Sequence, residues 1–214
     1  WNLDATPEPA TVTPFDPLNP GNSSNGVSTT KMYDSLGAEH DVTIYYVNTG
    51  AGQWEYHAMV DDGAEVAGGT PGEPFEIASG TLTFNPNGTL QDHQANAATV
   101  DFVNASPAQT FTLDFGTSIN AGGTGTDGLT QYDKPNDISG GSQDGYSSGS
   151  IQGVQIDGNG VVMGVYDNGQ QIPVAQLAVA KFASNDGLNR NGHNLWSASL
   201  KSGDALLGAA GAGG

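Results

Sequence analysis

The chain has no cysteine. That removes disulfides, thiolate nucleophiles and cysteine-ligated zinc together, so its stability must come from packing and hydrogen bonding. Basic residues are nearly as scarce: 5 Lys and Arg stand against 23 Asp and Glu, a formal net charge of −18. No basic face exists to release counterions from nucleic acid or to hold an anionic membrane surface, so neither is an expected partner. No apolar run is long enough to span a bilayer as a helix, and no secretory leader opens the chain. The first residue is Trp1, not methionine, and the expectation is a fragment or a processed form. Helical periodicity is missing too; the Ala-containing run at 94–99 is too short and too polar to supply a helix.

What remains is a turn-rich composition, with 32 Gly and 11 Pro, and 36% hydrophobic residues that arrive in short alternating runs. That order is foreign to a disordered chain and specifies a folded all-β protein with long loops. The length suffices for one large or two small domains. Residues 1–26, with Pro7, Pro9, Pro14, Pro17 and Pro20, read as an extended lead-in. Val27–Asp34, Asp41–Asn48 and Gln53–Val60 follow as an antiparallel meander, with Trp54, Tyr56 and Ala58 on one face. Residues 61–79 read as an acidic loop. Gly80–Phe84 and Thr89-Leu90 form a hairpin about the turn Asn85-Pro86-Asn87-Gly88. Gln109–Phe115 alternates as a half-buried strand, and 116–149 is Gly/Ser/Asp-rich, a linker or a surface excursion. Ile151–Ile156, Val161–Tyr166 and Ile172–Phe182 then build a three-stranded antiparallel sheet around Asp157-Gly158-Asn159-Gly160 and Asp167-Asn168-Gly169. Residues 205–214 read as a loop.

The expected organisation is therefore two domains, 1–140 and 141–214. They differ in charge: the first holds 18 acidic residues against Lys31 and Lys134, the second 5 against Lys181, Arg190 and Lys201. A strongly acidic surface is solvated and self-repelling, whereas a nearly neutral one suits packing.

The groups that could carry chemistry lack their partners. Asp157-Gly158-Asn159-Gly160 resembles the start of a calcium loop, but no terminal bidentate Glu follows, and a hairpin turn accounts for it. Asp61, Asp62 and Glu65 could supply a carboxylate pair, but adjacent residues point apart and a solvated loop tip is the simpler reading. His40, His57, His93 and His193 are scattered singly, without the spacing of metal ligands. Ser148 sits in no nucleophile elbow. Trp54, Tyr45, Tyr46 and Tyr56 could line a sugar-binding face, or pack as cross-strand pairs. From the residues alone, then, no catalytic residue, no cofactor-binding residue, no metal site and no cofactor are assigned. An extracellular carbohydrate- or calcium-binding β-module stays open as a rival to a structural protein.

Two blocks of residues carry a resemblance. Val27–Val47, containing Tyr33-Asp34-Ser35-Leu36-Gly37 and the strand to Tyr46, followed by Trp54-Glu55-Tyr56, resembles the outer β-domain of the bacterial flagellar hook family. Met32 stands where that family has Val, and Ala38-Glu39 where it has Asn-Ala. The later block 175–203, with Asn185-Asp186-Gly187-Leu188, Asn194-Leu195-Trp196 and Ser202-Gly203, resembles one shared by hook and distal-rod members of the flagellar axial proteins. Ser184 and His193 depart from it. The early block favours hook over rod.

The resemblance implies a subunit with no catalytic role that self-assembles into a flexible tube, a universal joint between rod and filament that transmits torque. It would be extracellular, exported by the flagellar apparatus without a cleaved signal. Its partners would be copies of itself, distal-rod, hook-cap and hook–filament junction proteins. The fold implied is an antiparallel flattened barrel or sandwich, the outer domain, plus a smaller elongated antiparallel β-domain completed by missing chain. The fragment alone is expected to be monomeric. In the outer domain Tyr33, Leu36, Ile44, Tyr46, Trp54, Leu82, Phe84, Phe111 and Leu113 are the expected core. In the inner one Leu177, Val179, Phe182, Leu188 and Trp196 are. Gly187 is expected in a left-handed or otherwise permissive turn.

Overall fold

The computed structural model describes residues 1–6, 14–95, 98–105, 109–138 and 141–211, the side chain of residue 95 excepted. Pro7 and Pro9, residues 96–97 of the Ala-containing run, the expected boundary at 140 and the last three residues of the expected 205–214 loop lie outside them. The chain divides into two compact units, Trp1–Ser147 and Ser148–Gly214. It is all-β: among the described residues the helical elements are three 3-10 turns of three residues each, Pro20–Asn22, Gly63–Glu65 and Asn185–Gly187. No helix there is long and apolar enough to cross a membrane.

The first unit is built on a five-stranded antiparallel sheet, β2 (Gly26–Tyr33), β3 (Glu39–Gly50), β4 (Gln53–Val60), β5 (Phe75–Phe84) and β6 (Leu90–Ala95), paired in chain order. β1 (Asn2–Asp4) precedes it. β7 (Thr99–Val100) pairs with β8 (Gln109–Thr110), and β1 pairs in parallel with β9 (Thr130–Tyr132). The meander forms where alternation predicts it, and each short turn fixes its register. At the first turn, the Asp34 carboxylate accepts the N–H groups of Leu36 (2.8 Å) and Ala38 (2.9 Å). β5 starts earlier than the sequence suggests: Phe75–Ser79 belong to the strand because Phe75 and Glu76 pair with Val60 and Met59.

The sheet curls about a core of Val42, Ile44, Tyr46, Trp54, Tyr56, Ala58, Leu82, Phe84 and Leu90, closed by Leu3, Val66, Phe102, Phe115 and Leu129 from outside the meander. Trp54, Tyr46 and Tyr56 are each 1% exposed. Four expectations for this core need correction. Leu36 is 62% exposed, because it sits at the tip of the β2–β3 turn and points away from the sheet. Tyr33, at the fraying end of β2, is only half-buried, its hydroxyl donating to Glu39. Phe111 and Leu113 alternate inward as expected but are partly buried, packed against the core's edge. Past Thr110 their segment leaves the β7–β8 ladder and continues without strand pairing.

The lead-in and the Gly-rich stretch are also more structured than their composition implies. Leu3 is fully buried, and Asn2 exchanges backbone hydrogen bonds with Asp137 (2.8 and 2.9 Å). The Asn2 side chain accepts the Tyr132 N–H (2.7 Å) and donates to the Lys134 carbonyl (3.0 Å). Residues 116–132 are no linker: Ser118, Leu129, Thr130 and Gln131 are buried, and Leu90 donates its N–H to the Gly125 carbonyl and accepts the Ile119 N–H. Composition marks such a segment as a loop, but long-range backbone pairing decides whether it packs.

The second unit contains β10 (Ile151–Ile156), β11 (Val161–Tyr166) and β12 (Gln171–Gln176) as one antiparallel sheet. Two pairs follow: β13 (Ala178–Lys181) with β16 (Leu206–Ala209), and β14 (Asn189–Gly192) with β15 (Leu195–Ser197). The expected long third strand is thus split at Leu177, whose N–H and C=O turn to Gly160 and Ala210. The expected 205–214 loop contains β16. The core expected here is absent: Leu177 is 49%, Val179 46% and Trp196 57% exposed, while Phe182 and Leu188 are half-buried. The strands form as predicted, but among the described residues of this unit no second layer covers them. Gly187 is corrected as well. Its φ is not in the left-handed region; glycine is required because a Cβ would lie 2.6 Å from the Ser202 nitrogen.

Candidate functional site

The sequence-nominated groups are scattered to structural tasks. Asp157 folds its own hairpin: its carboxylate accepts the N–H groups of Asn159 (2.9 Å) and Val161 (2.8 Å). Asp61 accepts the Thr43 hydroxyl (3.4 Å), whereas Asp62 caps Gly63–Glu65 through Ala64 and accepts the Gly72 N–H, both at 2.9 Å. Those backbone donors, Gly72 first, hold the Asp62 carboxyl below its ordinary range. Glu65 turns instead to His40. Three neighbouring carboxylates therefore face three different partners and cannot act as an acid–base pair.

Trp54, Tyr46 and Tyr56 pack inside, so their faces are closed to a sugar, and burial pushes the Tyr46 hydroxyl up to about 12. Tyr45 is half-buried beneath Phe15, ring centroids 6.0 Å apart. His93 meets Phe115 edge-on at 6.3 Å. His193 and Asn194 are exposed and form the tip of the β14–β15 hairpin at φ 51° and 60°. Ser148 is exposed at the start of the second unit. Among the described residues, no three His, Asp or Glu are grouped to hold a metal.

Two constellations are brought together that no local spacing announces. The His40 ring stacks on Phe102 with centroids 3.8 Å apart and planes 10° from parallel. Its Nδ1 lies 2.5 Å from Glu65 Oε2 and its Nε2 3.4 Å from Asp34 Oδ2. On the other face of the sheet the His57 ring stacks on Phe15 at 3.9 Å and 6°. There Nδ1 is 2.7 Å from Glu76 Oε2 and Nε2 3.8 Å from Glu55 Oε2. Burial raises the Asp34 carboxyl, but the N–H groups of Ala38 and Leu36 and the His40 ring together keep it below the usual carboxylate range. Glu76 is held down chiefly by its hydrogen bond with His57, with burial opposing. Of these contacts only Glu55–His57, two residues apart on one face of a strand, was visible locally.

The remaining surface feature is apolar exposure in the second unit. Val154, Ile156, Ile172 and Val174 are each about half exposed or more, between 47% and 60%, and alternate onto one face of the β10–β12 sheet. Contiguous exposed apolar faces of this kind mark surfaces that bind protein.

Comparison with known proteins bears on both units. The family described as "Flagellar basal body protein FlaE D2 domain" matches residues 2–146, nearly the whole first unit. The flagellar hook protein FlgE of Salmonella typhimurium is 35% identical over 212 residues, covering 99% of this chain and 48% of its own length. That of Escherichia coli is 36% identical over 215 residues, with the same coverages. The chain thus spans about half the length of these curated relatives. The crystal structure of the Helicobacter pylori flagellar hook protein FlgE2 is similar with a TM-score of 0.50 at 21% identity, covering 86% of this chain and 39% of that one. The fold is shared with that structure. Matched through its first unit by the hook D2 domain, this chain belongs to the flagellar hook protein family.

Proposed function

We propose that the chain is part of a structural subunit of the bacterial flagellar hook. In this role it self-assembles, as part of the longer protein, into a flexible tubular joint between rod and filament that carries motor torque. The observation that carries this is the D2-domain match over residues 2–146, with 35% identity to a hook protein running on through the second unit. The subunit has no catalytic role and no cofactor. It resides outside the cell, reached by the flagellar export apparatus without a cleaved signal. Its neighbours are copies of itself, with distal-rod, hook-cap and hook–filament junction proteins at the ends of the tube.

In this proposal residues 1–140 form the outer domain and 141–214 the C-terminal part of an inner domain. The uncovered face of β10–β12 supports it: an apolar sheet face is stable in water only when chain or partner covers it, and the relatives are about twice as long. The acidic first domain would let wet, like-charged surfaces slide as the joint bends. The test is a chimera in which residues 1–214 replace the matching segment of the Salmonella typhimurium hook protein, in cells lacking their own. Hooks visible by electron microscopy and restored swimming are expected. A chimera that is exported and stable but builds no hooks overturns the proposal. The 214-residue chain alone should sediment as a monomer and form no filaments.

A further inference from the structure

Asparagine precedes glycine at five places, Asn25, Asn87, Asn159, Asn168 and Asn191. Such a step is open to deamidation, because the glycine nitrogen can reach the asparagine amide carbon with no Cβ in the way. The fold closes four of the five. The N–H groups of Gly88, Gly160 and Gly169 are turn donors, held by the carbonyls of Asn85 (2.9 Å), Asp157 (3.0 Å) and Tyr166 (3.1 Å). Asn25 is fixed against the five-stranded sheet. Its Oδ1 accepts the Asn48 N–H (2.8 Å), its carbonyl accepts from Asn136 Nδ2 (2.9 Å), and a Cβ at Gly26 would lie 3.2 Å from that same nitrogen.

Asn191 has a different setting. It is the extra residue of a bulge in β14, where the register with β15 shifts between Arg190 and Gly192, and such a residue stands outside the ladder. Among the described strands β14 pairs with β15 alone, residues 189–192 are exposed, and a Cβ at Gly192 would meet nothing within 4 Å. A hairpin of two strands is marginal in water, so the backbone here opens readily. Across the hairpin the Ser197 hydroxyl donates to Asn191 Oδ1 (3.3 Å). That oxygen takes up negative charge when a nucleophile adds to the amide carbon, and a hydroxyl donor beside it favours the addition.

We propose that Asn191-Gly192 is a site of spontaneous deamidation, at which the Ser197 hydroxyl orients and polarises the amide. The Gly192 nitrogen adds to Asn191 Cγ and the new C–N bond forms. The Cγ–Nδ2 bond breaks, and Nδ2 leaves as ammonia with the proton that Gly192 gives up. Water then opens the five-membered succinimide at either carbonyl, to aspartate or isoaspartate. Water is the sole co-reactant, and nothing is oxidised or reduced. The product adds a carboxylate beside Arg190, in a unit with 4 acidic and 3 basic residues. In the isoaspartate form the main chain also runs through the former side chain and is longer at the hairpin. This chemistry is independent of the hook assignment.

Peptide mapping by mass spectrometry, on the 214-residue chain aged in mildly alkaline buffer, reads each step separately. Conversion at Asn191 is expected to run at least about fivefold faster than at the other four, each of which must first break a hydrogen bond. In concentrated urea the five should converge to within about twofold, since each is followed by glycine and the fold no longer separates them. Ser197→Ala is expected to slow Asn191 about threefold in the folded chain and to leave it unchanged in urea, and Ser197→Thr to restore it. Faster conversion at any other step, an order that survives in urea, or a folded Ser197→Ala chain as fast as wild type overturns the proposal. Should that variant misfold, the wild-type ranking in buffer and in urea decides alone.

Discussion

The two units use the same local vocabulary, alternating strands and Gly- or Asn-containing turns, and reach different outcomes. Trp1–Ser147 buries four aromatics of its meander, Tyr46, Trp54, Tyr56 and Phe84, and closes them under Leu3, Val100, Phe102, Phe115 and Leu129. Ser148–Gly214 makes its strands and hairpins equally well, but among its described residues only Gly160, Gly164 and Ser202 are buried. Patterning forms a strand; a second layer gives it stability. Charge follows the same division, with 19 acidic and 2 basic residues in the first unit and 4 against 3 in the second. The self-supporting unit tolerates strong self-repulsion, and the uncovered one is nearly neutral.

The largest test separates the units. Trp1–Ser147 expressed alone should unfold in a single cooperative urea transition, whereas Ser148–Gly214 alone should show none; a sigmoidal transition in the latter would erase the contrast. Next come the two tryptophans. Trp54→Ala empties the centre of a packed core and should cost about 3–5 kcal/mol in urea denaturation. Trp196→Ala removes an exposed ring over which Arg190 lies at 6.0 Å, and should cost less than about 1 kcal/mol.

Two glycines sharpen the same point at smaller scale. Gly88 and Gly169 have nearly the same φ, 85° and 83°, so alanine strains both by about 1–2 kcal/mol. At Gly88 a Cβ would also lie 2.5 Å from the Gln131 carbonyl oxygen, while at Gly169 it meets nothing. Thermal unfolding should therefore show Gly88→Ala as clearly the worse substitution.

The last test concerns acid. Asp34 has a depressed carboxyl, so its contribution is present above the unfolded-state value and is lost as pH falls through the lower folded value. Asp34→Asn should cost about 1–2 kcal/mol near neutrality and flatten that acid limb, read from urea midpoints between neutral and acid pH. An unchanged acid limb would show that the turn carboxylate is not what the sheet loses in acid.

Much of this was legible because it is local. The β2–β6 meander follows from period-two alternation of Val42, Ile44 and Tyr46 against Trp54, Tyr56 and Ala58, and from turn residues at fixed offsets. What composition concealed depends on distant chain. Leu3 lies in a segment that looks like an extended lead-in, and only pairing with Thr130–Tyr132 buries it. Trp196 looks like an anchor by chemistry, yet exposure is set by what covers it, which its own neighbours cannot reveal. The stacked imidazole–phenyl pairs were illegible for the same reason: Phe15 and Phe102 are 42 and 62 residues from the histidines they stack on.

The bonding about Asn2 has a mechanical consequence. Residues 2–4 lie beside 130–132, and residue 2 also meets residue 137 running the other way. A pull applied to the chain on either side of this unit therefore meets first the hydrogen bonds that join residues 1–5 to residues 128–137, those of Asn2 among them. The meander between them hangs off the line of tension like a loop of rope beyond a knot. While the knot holds, load passes the five-stranded sheet by.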